Sequence, residues 1–203
     1  MSVAGGGDAA VLDVLDHGGL GARRHWVRGA AVAGGLLVLC LVGLHADRQA
    51  RSSEFDQVTT RCHAGHSDYV YAVHQVDAMD RYAAPLLLRP DAPAAVKAGM
   101  AATVRAVATA GADSLAPDLG ALAAVSILPW HDSLLQARSA CQDYLGEARS
   151  RLRRAAADLS TLDLPTGYLG VRQRSARAAL VAAAVDSSSV LDATQVFGGT
   201  ATR

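Results

Sequence analysis

The chain has 203 residues, 51% of them apolar and only 4% aromatic, with nineteen basic and nineteen acidic side chains. A formal net charge of zero leaves no electrostatic footprint for nucleic acid or for an acidic substrate. Alanine is abundant, while β-branched and aromatic runs are few, so helix is favoured over strand throughout. Lys97 is the only lysine, Ile127 the only isoleucine and asparagine is absent; arginine, alanine, glycine and valine share GC-rich codons, which points to a high-GC bacterial source.

Residues 1–25 are rich in glycine and alanine and read as a short, flexible, cytoplasmic tail. A weak apolar cluster (Val11, Leu12, Val14, Leu15) favours a turn or two of helix, which Gly18-Gly19 is expected to stop. Next comes the run that sets the address of the chain, residues 26–46. Sixteen uncharged, mostly apolar residues from Gly29 to Leu44 follow Trp26 and Arg28. A spanning helix needs roughly 20 such residues at 1.5 Å each. Val27 and Ala46 extend the run, the Arg28 stem can snorkel, and Trp26 falls where interfacial indoles sit. Leu36 to Val42 is apolar on every face, unlike the stripe of a surface helix.

A cleaved signal peptide fits badly. Cleavage after Ala46 puts Leu44 at the third-last position, cleavage after Ala50 puts Arg48 there, and Leu39 before Cys40 spoils a lipoprotein site. The expectation is therefore an uncleaved signal anchor, with the lipid bilayer as its partner. Arg23, Arg24 and Arg28 on one side balance Arg48, Arg51 and Arg61 on the other, but the first group is packed closer to the span. That favours an amino terminus inside a cell membrane crossed once, and a carboxy-terminal domain outside. Ala30-x-x-x-Gly34 and Ala31-x-x-x-Gly35 give the anchor a small-residue face suited to self-association.

About 157 residues follow the anchor, enough for one core. Residues 47–197 read as a helical bundle and 198–203 as a frayed tail. Gly65 is the expected interruption of the first helix, with Ser67 or Asp68 capping a restart. Tyr69, Val73, Val76, Met79 and Ala83 then share one face, ended by Pro85 and Arg89-Pro90. Asp91 is placed to cap a second helix with Pro93 in its first turn, with the stripe Val96, Met100, Val104 and Val107 and closure at Gly111. A short apolar segment from Pro117 to Leu128 precedes a break at Pro129.

Asp132 is placed to cap the longest helix of the bundle, running to about Ser160. Its stripe is Leu134, Arg138, Cys141, Leu145, Ala148, Leu152, Ala155 and Leu159, alternating three and four residues as in a bundle seam. A last helix capped by Thr166 carries Leu169, Ala176, Leu180, Ala183, Val190 and Leu191. The fold class expected is all-α: a single transmembrane helix followed by an antiparallel four- or five-helix bundle.

Three groups of residues could carry function. Cys62 and Cys141 are the two cysteines beyond the anchor, and in an exported domain they are positioned to form a disulfide. The alternative is a pair of buried thiols. His63, His66, His74 and Asp77 are metal-ligand types on one helical face, but His66 and His74 lie about 12 Å apart along an axis, too far for one ion. A solvated surface is the reading favoured for them. Arg149, Arg153 and Arg154 precede a turn by about the distance at which Arg172, Arg174 and Arg177 follow it, so a hairpin sets them at similar height as a basic patch for anionic headgroups or an envelope polymer. Glu147 with Arg151 and Asp158 with Arg154 are spaced to pair on that surface.

No nucleophile elbow, phosphate loop, zinc-protease helix or dinucleotide glycine pattern occurs, so neither an enzyme nor a cofactor is expected. The functional expectation is a membrane-anchored, extracytoplasmic interaction or scaffolding protein, binding itself or an unidentified membrane or envelope protein. The alternative is a small-ligand or metal-sensing input domain that works with a partner.

Overall fold

The computed structural model describes residues 13–158, 167–187 and 195–197, with side chains from Val32 onward except those at 167, 168 and 195. Among these residues there are four α-helices and no strand: α1 (Asp13–Leu87), α2 (Ala94–Ala123), α3 (Asp132–Ala157) and α4 (Gly167–Ser187), followed by a 3-10 turn at Gln195–Phe197. The chain divides into two compact units, Met1–Gln49 and Ala50–Arg203.

In the first unit, the helix runs through Gly18-Gly19 rather than stopping there. Two glycines weaken a helix by about 1 kcal/mol each relative to alanine, which lowers its stability without forcing an end. The first twelve residues of the expected tail lie outside those described. Every residue from 32 to 46 is exposed. Leu36, Leu37, Leu39 and Leu44 stand 59 to 69% exposed, an apolar surface far beyond the scattered leucines normal on a protein exterior. The helix that carries them is long and apolar enough to cross a membrane.

The second unit is a bundle built from the rest of α1 with α2, α3 and α4. Phe55, Val58, Cys62, Gly65, Ala72, Val76 and Ala83 form its buried apolar seam on α1, with Tyr69 partly buried between them. Their spacing alternates three and four, the repeat that keeps one face on a partner helix. Gly65 belongs to this seam and does not interrupt the helix. A Cβ there would stand 2.6 Å from Leu145 Cδ1, so α3 approaches the helix closely at this position. No restart at Ser67 or Asp68 is needed. The helix ends just after Pro85, as the prolines require.

α2 departs more from expectation. It passes through Gly111 and Pro117 to Ala123, absorbing the first part of the segment read as separate. Gly111 is again a contact and not a terminus, since a Cβ on it would stand 2.6 Å from Ala72 Cβ on α1. The helix starts from Pro93, whose carbonyl accepts from Val96 at 3.0 Å and Lys97 at 3.1 Å, so Asp91 is not the cap. Its buried face is Val104, Ala108, Ala112, Leu115 and Leu122, leaving Val96 exposed.

On α3, Leu134, Cys141, Leu145, Ala148, Leu152 and Ala155 are buried as their spacing predicts, joined by Ala137 and Tyr144. Arg138 is displaced to the edge, where it donates to the Val125 carbonyl at 2.8 Å. His131 rather than Asp132 is the cap residue, and the helix ends at Ala157 rather than Ser160. On α4, Leu169, Ala176, Leu180 and Ala183 are buried as expected and the helix ends at Ser187. Leu159, Thr166, Val190, Leu191 and the 198–203 tail lie outside the described residues.

Direction follows from the contacts. Ala72 meets Gly111 while Gly65 approaches Asp118, so α1 and α2 are antiparallel. Arg149 reaches Ala112 and Arg138 reaches Val125, so α2 and α3 are antiparallel too. Cys62 with Cys141 and His66 with Tyr144 therefore join two parallel helices, α1 and α3. Short connections make sequential neighbours antiparallel and leave alternate helices parallel.

Candidate functional site

The polar groups of the bundle concentrate between α1 and α3. Near the start of α3, His131 is 1% exposed and its Nδ1 donates to Glu54 Oε2 at 2.5 Å. Glu54 Oε1 accepts from the Leu128 backbone N–H at 3.1 Å. One carboxylate thus holds both the imidazole and the backbone just before the helix. Removing a charge from water is offset only when its lone pairs are used in this way. The sequence does not link the two, because nothing local connects positions 77 apart.

About two turns further along α1, Cys62 and Cys141 form a disulfide with Cα atoms 5.9 Å apart. The sequence predicted this pair. One turn beyond, His66 is buried and shares a hydrogen bond of 2.7 Å between its Nδ1 and the Tyr144 hydroxyl. Burial, reinforced by nearby His63, pushes the His66 imidazole below its ordinary value. Burial likewise raises both the Tyr144 and Tyr69 phenols, with the Arg151 guanidinium opposing the rise at Tyr69. The ring of Phe197 stands edge-on to His66 at 5.1 Å and to Tyr144 at 5.6 Å. His63 Nδ1 donates to the Val196 carbonyl at 2.9 Å. Tyr144 was visible in principle, since it lies three residues after Cys141 on the same face.

These positions correct the histidine reading. His66 is an interior group and not part of a solvated face. His63 holds the Gln195–Phe197 turn, while His74 and Asp77 are exposed on the following turns. Among the described residues, no three histidine, cysteine or acidic side chains converge as a metal site would need.

The basic patch is also dispersed. Arg149 turns inward to the Ala112 carbonyl at 3.2 Å. Arg153 lies 3.6 Å from Asp113, Arg154 2.7 Å from Glu147, and Arg172 3.4 Å from Asp143. Glu147 therefore serves Arg154, two turns away, where the sequence had matched it with Arg151. Arg174 and Arg177 are exposed on α4.

The α1–α2 side is different in kind. A half-open groove of about 400 Å³ lies between Asp68, Tyr71, Ala72 and Gln75 of α1 and Val107, Ala110, Gly111 and Ser114 of α2. Its size falls at the low end of small-molecule sites and its wall is mainly apolar. Beside it, burial raises the Asp118 carboxyl, and the adjoining Asp68 raises it further against the pull of Arg61. Asp118 Oδ2 is buried without a hydrogen-bond partner.

No family model, no curated protein and no solved structure matches this chain.

Proposed function

We propose that this protein is a single-pass membrane protein whose helical bundle stands outside the cytoplasm and acts by contact with another envelope or membrane protein. One observation carries the reading: the wholly exposed apolar run Val32–Leu44 and the disulfide cysteine Cys62 belong to the same helix. The apolar run needs lipid around it, and a structural disulfide needs an oxidising compartment. The span is an uncleaved signal anchor, and its Gly34 and Gly35 open onto free space, which suits close approach of a second span. Contact is favoured over catalysis because the buried polar groups of the α1–α3 side are directed at one another. Meanwhile Tyr71, Tyr82, Leu88 and Trp130 are left 62 to 82% exposed on the bundle.

The test uses intact cells. In a Cys40→Ser background, Tyr82→Cys supplies a free thiol beside the Cys62–Cys141 disulfide that reacts with an impermeant maleimide added outside, and a photocrosslinker at Tyr71 gives a discrete adduct. Labelling only after the cytoplasm is opened would overturn the orientation, and the absence of any adduct would overturn the contact role.

The groove between α1 and α2 favours a second reading, an input domain that binds a small ligand and signals through a partner. Ala110→Phe, which fills the groove, abolishes ligand-induced stabilisation on that reading and leaves the crosslinked adduct untouched on the first.

A further inference from the structure

The turn Gln195–Phe197 is held against α1 and α3 by a hydrogen bond from an imidazole and by ring contacts. Val196 is buried, its carbonyl accepts from His63 Nδ1 at 2.9 Å, and the Phe197 ring packs edge-on against both members of the His66–Tyr144 pair. Among the described residues, the polar contact that reaches this turn comes from an imidazole, and the ring nearest to Phe197 is an imidazole as well. We propose that the Gln195–Phe197 turn is an acid-sensitive latch: closed over His66 and Tyr144 at neutral pH, it is ejected when the His66 imidazole gains a proton, uncovering an aromatic socket of His66, Tyr69 and Tyr144.

The surroundings of His66 give the sign. On α1 it meets His63, which repels a second positive charge; on α3 it meets the Tyr144 hydroxyl, with Tyr69 stacked edge-on to Tyr144 at 6.3 Å and the Arg151 guanidinium behind Tyr69. From the Gln195–Phe197 turn, among the described residues, it meets the Phe197 ring and, through His63, a carbonyl. None of these groups is an acid that would welcome an imidazolium. The closed state accordingly prefers neutral His66, and its imidazole lies below the ordinary value of 6.5 for that reason. A group with a depressed histidine value binds protons less well closed than open. The latch is therefore fully closed above pH 6.5 and weakens as pH falls through the depressed value. Opening returns the imidazole to water and gives up the ring contacts of Phe197.

The chain contains two phenylalanines, Phe55 and Phe197, which makes the test direct. Phe55 is wholly buried in the core and serves as the internal control. The full chain is prepared with fluorophenylalanine, placed in lipid nanodiscs and followed by fluorine NMR from pH 7.5 to 4.5, with Phe197→Leu assigning the signals. The Phe197 resonance should move to its water-exposed position with a midpoint below 6.5, while the Phe55 resonance stays fixed. In His66→Gln the movement is lost, whether the latch rests open or closed; in His63→Gln, which keeps a donor for the Val196 carbonyl, it persists. Four results would overturn the proposal: a Phe197 signal already exposed at pH 7.5, one that does not move, one that moves together with Phe55, or one that moves unchanged in His66→Gln.

Discussion

The two sides of α1 hold the bundle by different chemistry. Towards α3 the contacts are directional: a disulfide, the Glu54–His131 pair and the His66–Tyr144 hydrogen bond follow one another along parallel helices. Towards α2 they are contacts of small size, with Ala72 against Gly111 and Gly65 near Asp118, and they leave a groove and an unsatisfied carboxyl oxygen. Directional contacts fix register, since a disulfide or a buried hydrogen bond works at one offset only. Small-residue contacts fix distance and tolerate sliding, and that is where space for a ligand remains.

The comparison can be broken most forcefully at the disulfide. Cys62→Ser with Cys141→Ser opens a loop of 79 residues and should lower stability by about 4 kcal/mol in urea unfolding of the full chain. A loss under about 1 kcal/mol would mean that the α1–α3 side is held by its hydrogen bonds and packing without the disulfide. Next in size is His131→Ala, which strips a nearly buried carboxylate of its imidazole partner. It should cost about 3 kcal/mol, with His131→Gln recovering part of the loss by keeping a donor. Equal losses in the two variants would show that the pair acts through volume and not through the hydrogen bond.

The two glycines sharpen the distinction further. Gly111→Ala forces a Cβ against Ala72 Cβ, an atom that cannot swing away, and should cost about 1 to 2 kcal/mol despite a better helix former. Gly65→Ala meets first the terminal methyls of Leu145, which can rotate, so the helix gain should cancel the strain to within about 0.5 kcal/mol. Calorimetric melting of both variants checks this; a Gly65→Ala loss as large as that of Gly111→Ala would erase the contrast. The smallest effect is a pH dependence of opposite sign on the two sides. His66 is depressed when folded, so its contribution falls away as pH drops below 6.5. Asp118 is raised when folded, so protonation favours the folded state and its contribution grows as pH falls towards 3.8. Melting temperatures across that range should flatten on the first side in His66→Gln and on the second in Asp118→Asn, and the same slope in either variant as in the parent would refute the assignment.

How much of this was legible follows the same division. The repeat of threes and fours on α3 and α4 placed Leu134, Cys141, Leu145, Leu152, Leu169, Ala176 and Leu180 in the core, because burial leaves its period in the sequence. The Cys62–Cys141 pair was legible for another reason, as the two cysteines beyond the anchor. Gly65 and Gly111 misled, since glycine marks both helix ends and close helix contacts, and only the partner helix tells which. Glu54 with His131 and the return of Phe197 to His66 were invisible for a simpler reason: each joins segments far apart in the chain at one spot, and one spot has no period.

The disulfide has a further consequence for a damaged molecule. The covalent ring it closes contains all of α2 and no part of α4. A protease that cuts the chain once at the exposed Leu88 or at the exposed Trp130 severs the backbone yet releases nothing, because both pieces stay joined through sulfur. A cut between α3 and α4 sheds the carboxy-terminal part as soon as it undocks. Wear between Cys62 and Cys141 is thus silent until the molecule meets a reductant, whereas wear beyond Cys141 is not held by the ring.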